Sequence, residues 1–190
     1  IYQLAGNPKI PGVSAVGYIL AIGNKVEGFH VGQKVGYATS KNGGAYSKQR
    51  CIKASLVFDV PADISDRVAA SCLVKGLTAH YLTHRTYVVR PGHAVLIHAA
   101  AGGVGQLLSQ WSKAMGAYVI GTVGSDEKFG IAKENGCHAV VNYNKPDWVA
   151  QVMAATRKFG VHAVYDSVGQ ATFDKSLECL MPMGIMVSYG

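Results

Sequence analysis

Residues 94–105 read Ala94-Val95-Leu96-Ile97-His98-Ala99-Ala100-Ala101-Gly102-Gly103-Val104-Gly105, and this stretch decides the fold. The first six residues form an apolar run of strand length. Glycines follow at once, and apolar residues then recur at helical spacing from Val104 to Met115. A strand, a glycine-rich turn and a helix, in that order, make Ala100 to Gly105 readable as a turn for a dinucleotide pyrophosphate. Gly102 lets the main chain approach the anion, and Gly105 lets the helix pack closely on the strand. The unpaired amides and positive dipole end at Gly103-Val104 then face the phosphate. Ala100 stands where a first glycine is usual, which requires a negative φ at that position.

Reading toward the C-terminus, the alternation continues. Strands are expected at Tyr118 to Val123, His138 to Asn142, Val161 to Tyr165 and Ile185 to Ser188. Helices are expected at Glu127 to Asn135, Asp147 to Phe159 and Phe173 to Leu180. Strict alternation with nearly continuous apolar strands predicts a doubly wound α/β Rossmann sheet, parallel and covered on both faces. Its sixth strand is not found before Gly190, so the sheet is expected to be incomplete at its C-terminal edge.

Reading toward the N-terminus, Asp63-Ile64-Ser65-Asp66 supplies helix-capping residues, and Val68, Ala69, Cys72 and Leu73 recur at helical spacing. A second helix is expected from Leu77 to Arg85, ended by Arg90-Pro91-Gly92. Residues 1–60 read as all-β, with short apolar runs at Val16 to Ile22 and Lys34 to Ala38. The turn Gly43-Gly44 opens a further strand at Ala45-Tyr46-Ser47. The chain opens on Ile1-Tyr2-Gln3-Leu4 with no initiator Met and stops at the end of a strand. It is therefore expected to be a fragment.

Composition narrows the function classes. With 49% hydrophobic and 15% charged residues, the chain is that of a compact protein and not a disordered one. Lys and Arg outnumber Asp and Glu by 18 to 11, which favours an anionic partner. No run of five basic residues appears, nor the interleaving of aromatic and basic residues typical of single-strand binding, so nucleic acid is not the expected partner. Cys51, Cys72, Cys137 and Cys179 stand singly, without metal-ligand spacing. With no signal peptide and no apolar run of membrane length, a cytoplasmic protein with four free thiols and no membrane partner is expected. His80 and His84 are spaced i, i+4 but read as surface or interdomain histidines, and His98 reads as a satisfied core residue. No metal site is expected.

The second strand of a dinucleotide fold usually ends in a carboxylate that binds the adenosine ribose. Here it ends Val123-Gly124-Ser125, with Asp126 and Glu127 just beyond and Lys128 on the following turn. A small neutral residue with a cation nearby suits a 2′-phosphate, and so NADP over NAD. The alternative is that Asp126 swings in to bind a hydroxyl and Lys128 is a surface charge.

Four segments together, Lys75-Gly76-Leu77-Thr78-Ala79, His98 to Gly105, Gly121-Thr122-Val123-Gly124 and Tyr165-Asp166-Ser167-Val168-Gly169, closely resemble quinone oxidoreductases. These are the zinc-free, zeta-crystallin-like branch of the medium-chain dehydrogenase/reductase superfamily, and the resemblance runs over essentially the whole chain. It implies part of a GroES-like catalytic β domain over residues 1–75, then an NADP-binding Rossmann domain over 76–190, with NADPH in the cleft between them. The implied reaction is reduction of quinones, or hydride transfer to related electrophilic alkenes, in a protein that is a homodimer at full length. By position the resemblance assigns Thr78 and Tyr81 to the nicotinamide, and Ala101, Gly102, Gly103 and Val104 to the pyrophosphate. Gly124, Ser125, Lys128 and Tyr143 fall at the adenosine 2′-phosphate end, and Ser167 and Val168 line the cofactor from the fourth strand.

The chain departs from the family pattern at Pro11-Gly12-Val13-Ser14, where Pro-Gly-x-Glu is usual, and at Gly32-Gln33-Lys34-Val35, where Gly-Asp-Arg-Val is common; zinc-containing relatives carry Gly-His-Glu where Gly12-Val13-Ser14 stands. Both departures are expected to weaken polar contacts in the barrel. Tyr37 and Tyr46 could line a substrate pocket, but the sequence assigns no catalytic residue. Two other functions fit the same residues: an enoyl or 2-alkenal reductase of the same superfamily, and a non-catalytic NADPH- and RNA-binding crystallin-like protein. As a fragment, the 190-residue chain is expected to turn over poorly.

Overall fold

The computed structural model describes residues 10–39 and 43–190, so the opening Ile1-Tyr2-Gln3-Leu4 lies outside the described residues. The chain divides into two compact units, Ile1–Val74 and Lys75–Gly190.

In the first unit, β1 (Ser14–Tyr18), β2 (Lys34–Ala38) and β3 (Val57–Asp59) form an antiparallel sheet in that order. The first strand begins and ends earlier than the apolar run Val16 to Ile22 suggests, because the ladder pairs Ser14 with Ala38 and Tyr18 with Lys34. Ala45-Tyr46-Ser47 is not a strand, and the short β3 has no clear alternation to reveal it. Gln33 and Lys34, which depart from the family pattern, are well bonded. Gln33 donates to the Asp59 carboxylate at 2.9 Å and accepts from the His30 amide at 3.0 Å. Lys34 pairs with Asp66 at 3.0 Å, and this contact is the main cause holding the Asp66 carboxyl below its ordinary range. The Gln33-Lys34 departure thus keeps polar contacts within this unit.

Helix α1 (Asp66–Tyr81) starts where the capping residues predict, with the Ser65 hydroxyl accepting from the Val68 amide at 3.3 Å. The two expected helices are one. It runs to Tyr81 without a break and then widens into a π-helical turn, Leu82–Thr86. Thr83 explains the continuity, since its hydroxyl donates back to the Ala79 carbonyl at 2.8 Å and is itself fully buried. The buried Tyr165 hydroxyl fixes the turn by donating to the Leu82 carbonyl at 3.3 Å.

The second unit alternates as read: β4 (Ala94–Ile97), α2 (Gly103–Ala114), β5 (Tyr118–Val123), α3 (Phe129–Glu134), β6 (Ala139–Asn142), α4 (Trp148–Ala155), β7 (Val161–Asp166), α5 (Phe173–Glu178) and β8 (Leu180–Ser188). All five strands are parallel, in the order β6-β5-β4-β7-β8. This is the doubly wound Rossmann arrangement, and its order reverses between β4 and β7. Two apolar layers cover the sheet. One packs Val95, Ile97, Val119 and Tyr165 against Leu82 and Leu108; the other packs Leu96, Ile120 and Val164 against Trp148 and Val152.

Three boundaries differ from the sequence reading. The helix after β5 opens as a 3-10 turn, Asp126–Lys128, before α3. The crossover helix stops at Ala155 because Arg157 and Lys158 take positive φ values of 51 and 67°. The last strand begins at Leu180, ahead of an irregularity in its pairing with β7 that the apolar pattern does not carry.

Candidate functional site

Ligands of open α/β sheets bind beyond the carboxyl ends of the strands, at the point where strand order reverses. In this chain that edge collects the segments after β4, β5, β6 and β7.

The segment after β4 is the glycine-rich turn. Ala100 keeps a negative φ as required, and the left-handed residue is Ala99 instead, at φ 49°. The Ala99 carbonyl accepts from the Gly102 amide at 2.8 Å, closing the turn. Gln106 makes the first intrahelical bond of α2, to the Gly102 carbonyl at 2.9 Å. The amides of Gly103 and Val104 therefore precede the helical ladder and point outward, with no side chain at the cap to claim them. A β-carbon on Gly105 would lie 2.2 Å from the Ala99 carbonyl oxygen, so glycine is obligatory there. A β-carbon on Gly103 would lie 2.7 Å from the Lys75 side chain, which places Lys75 of α1 over the turn. Sequence reading did not single out Lys75 as a site residue. Thr78 and Tyr81 follow it at successive i+3 steps on α1, Thr78 half-buried and Tyr81 exposed at the helix end.

The segments after β5 and β6 are laced together. Asn142 is buried, and its side-chain oxygen accepts from the Asn144 amide at 3.0 Å. That bond turns its amino group toward Asp126, to which it donates at 2.8 Å. Lys145 reaches the other oxygen of Asp126, also at 2.8 Å. These two contacts, Lys145 first, hold the Asp126 carboxyl below its usual range. Asn144 donates to the Gly124 carbonyl at 2.8 Å, and the Tyr143 hydroxyl lies 2.9 Å from where a β-carbon on Gly124 would stand. Gly124, Ser125 and Tyr143 are thus neighbours at a half-buried surface, and Lys128 is exposed on the turn that follows, its amide donating to the Ser125 carbonyl at 3.2 Å. Among the described residues the ion pairs are Lys34–Asp66 and Lys145–Asp126, so Lys128 has no carboxylate partner.

The segment after β7 is held by Asp166, which is 1% exposed. One of its oxygens accepts from the Val168 and Gly169 amides at 2.7 and 3.0 Å, and the other from the Thr172 hydroxyl at 2.8 Å. These bonds fix the turn that carries Ser167 and Val168. The Asp-x-Val-Gly spacing is an Asx-turn signal that sequence reading passed over. Beneath both turns, His98 is fully buried between Thr122 and Ser176, each at 2.8 Å. Ser176 spends its proton on the Thr172 carbonyl, at 2.7 Å. Nε2 of His98 must therefore donate to Ser176, and Nδ1 accepts from Thr122. Burial lowers the His98 pKa to about 4, so the ring is neutral and structural.

Elsewhere, Tyr37 lies under the Arg50 guanidinium, 5.0 Å from the ring centre, and Tyr46 is 79% exposed. His80 and His84 stack at 4.5 Å against Trp111. Among the described residues no group of three or more His, Cys, Asp or Glu side chains is placed to hold a metal ion. No helix of the described residues is long and apolar enough to cross a membrane.

This architecture has known counterparts. A family model described as zinc-binding dehydrogenase matches residues 103–190. A 2-haloacrylate reductase from a Burkholderia species is 42% identical over 96% of this chain and 55% of its own length. The crystal structure of Escherichia coli quinone oxidoreductase complexed with NADPH superposes with a TM-score of 0.90 at 43% identity, over 95% of this chain and 55% of that one. A mycobacterial quinone oxidoreductase superposes with a TM-score of 0.83 at 33% identity, over 100% of this chain and 68% of that one. The chain spans between 55% and 58% of the length of the first curated relatives it matches.

Proposed function

The chain belongs to the quinone oxidoreductase family of the medium-chain dehydrogenase/reductase superfamily, and from that premise we propose that it is the cofactor-binding part of a zinc-independent NADPH:quinone oxidoreductase. The observation that carries this reading is the end of β5. There Asp126 is already bonded by Lys145 and Asn142, while Lys128, on the turn that follows Gly124, has no carboxylate partner among the described residues.

The residues fit the group. The outward amides of Gly103 and Val104 suit a pyrophosphate, and the Lys75 side chain, which packs on Gly103, sets a cation beside them. The turn from Ala101 to Val104 would hold the pyrophosphate, while Lys128 and the Tyr143 hydroxyl would hold the 2′-phosphate by charge-assisted hydrogen bonds. Ser167 and Val168, on the turn fixed by Asp166, line the nicotinamide half with Thr78 and Tyr81. Bound NADPH supplies a hydride from its nicotinamide ring. The protein contributes binding, orientation and exclusion of water, and solvent protonates the reduced quinone. The cytoplasm is the proposed compartment, a homodimer the proposed assembly, and a small quinone the proposed partner.

A second reading, reduction of an electrophilic alkene, is favoured by the 2-haloacrylate reductase relative. The test is NADPH oxidation followed at the nicotinamide absorbance with 1,4-benzoquinone or 2-chloroacrylate. Slow quinone-dependent oxidation is expected of this chain. Oxidation with the haloacrylate and none with the quinone would select the alkene reading.

A further inference from the structure

We propose that Lys145 is a specificity-determining residue: by engaging Asp126 it withdraws from the adenosine pocket a carboxylate that would otherwise bind a ribose 2′-hydroxyl and repel a 2′-phosphate. This rests on the NADPH reading of the same site.

The argument starts from position. Asp126 lies two residues beyond Gly124, on the turn following the strand whose end normally carries the ribose-binding carboxylate. Left alone it would be a second-best version of that carboxylate, and it would stand beside Lys128 and weaken its attraction for an anion. Both of its oxygens are occupied instead, one by Asn142 and one by Lys145. The Asn142 amino group is aimed before Asp126 is considered at all, because its oxygen is fixed by the Asn144 amide. Lys145 is placed in the same way. Its own amide donates to the Asn142 carbonyl at 3.1 Å, so the turn after β6 brings the ammonium to the turn after β5.

Stability gives little reason for the pair. The side chains of Lys145 and Asp126 are 48% and 60% exposed, and ion pairs of that exposure contribute little to folding. Its effect falls on the charge of the pocket. With the pair formed, the site presents the Lys128 cation and the Tyr143 hydroxyl. With Lys145 removed, it presents a carboxylate as well.

The test is calorimetric titration of the chain with 2′,5′-ADP and with 5′-AMP, which differ only in the 2′-phosphate. The wild type is expected to prefer 2′,5′-ADP. Lys145→Met should cut that preference on the order of tenfold, because a charge now opposes the phosphate. Part of the change should be tighter AMP binding, which general loosening of the site cannot produce. Adding Asp126→Asn to Lys145→Met should restore the preference, and Asp126→Asn alone should leave it at least as strong as in the wild type.

An unchanged preference in Lys145→Met overturns the proposal. So does a lost preference that the second substitution fails to restore, since Lys145 would then be touching the phosphate directly. If the wild type itself shows no preference, the NADPH reading falls and takes this proposal with it.

Discussion

Gly105→Ala is expected to abolish NADPH binding and to lower the melting temperature by roughly 6–12 °C, from a loss of about 3 kcal/mol at 2–4 °C per kcal/mol. The added methyl would stand 2.2 Å from the Ala99 carbonyl oxygen and 2.8 Å from the Ala100 Cα, and neither atom can move freely. Ala99 is already in the left-handed region and accepts the bond that closes the turn. Ala100 is fully buried and its amide donates to the Thr122 carbonyl at 2.9 Å. Relief must therefore come from moving α2 away from β4, which carries off the amides of Gly103 and Val104. Gly130→Ala is the control. Nothing lies within 4 Å of its β-carbon, and it should leave binding intact. A Gly105→Ala protein that melts and binds NADPH like the wild type would show that the turn is not where the phosphates sit.

His98→Leu is expected to change the pH dependence of stability. The folded-state pKa of His98 is lowered to about 4 by burial, against 6.5 in an unfolded chain. A histidine held neutral in the fold contributes stability that is fully present above 6.5. Between 6.5 and about 4 the unfolded chain binds the proton and the native one does not, so stability falls with pH across that window and levels off below it. The shift corresponds to about 3 kcal/mol. At pH 7 the variant should be less stable by about 1–3 kcal/mol, since the buried Thr122 hydroxyl loses its partner. Below pH 5 the deficit should close or reverse, because the variant has no ring to protonate. His93 and His138 also have lowered pKa values but remain in both proteins, so they cancel in the difference. Urea unfolding of both proteins from pH 4 to 7 measures this. Parallel curves would mean that His98 is not held neutral.

The parallel half of the fold was legible because its signals are local. Each strand is an apolar run, each helix has its own period, and Ala100 to Gly105 marks where the first strand hands over to α2. The continuity of α1 was not legible. Thr83 bonds back to Ala79 and Tyr165 pins the π turn from 83 positions away in sequence, so the helical period shifts with no break to mark it. The β half was blurred for a related reason, as β3 is three residues long and gains its place by pairing with β2.

At the proposed site, Gly124 and Lys128 could be named from position in the fold and Tyr143 from the family resemblance. The roles of Asn142, Asn144 and Lys145 could not, because they act across two loops joined only in space. Asp126 shows the difference most plainly. From sequence it could have bound a hydroxyl; the structure ties both of its oxygens to the neighbouring loop.

The most direct test of the account is a fluorescence titration of the chain with NADPH and with NADH, repeated on Lys128→Ala. The account predicts tighter binding of NADPH, a preference that shrinks by on the order of tenfold in the variant, and NADH binding that stays nearly unchanged. Equal affinities for the two nucleotides in the wild type, or a preference untouched by removal of Lys128, would contradict it.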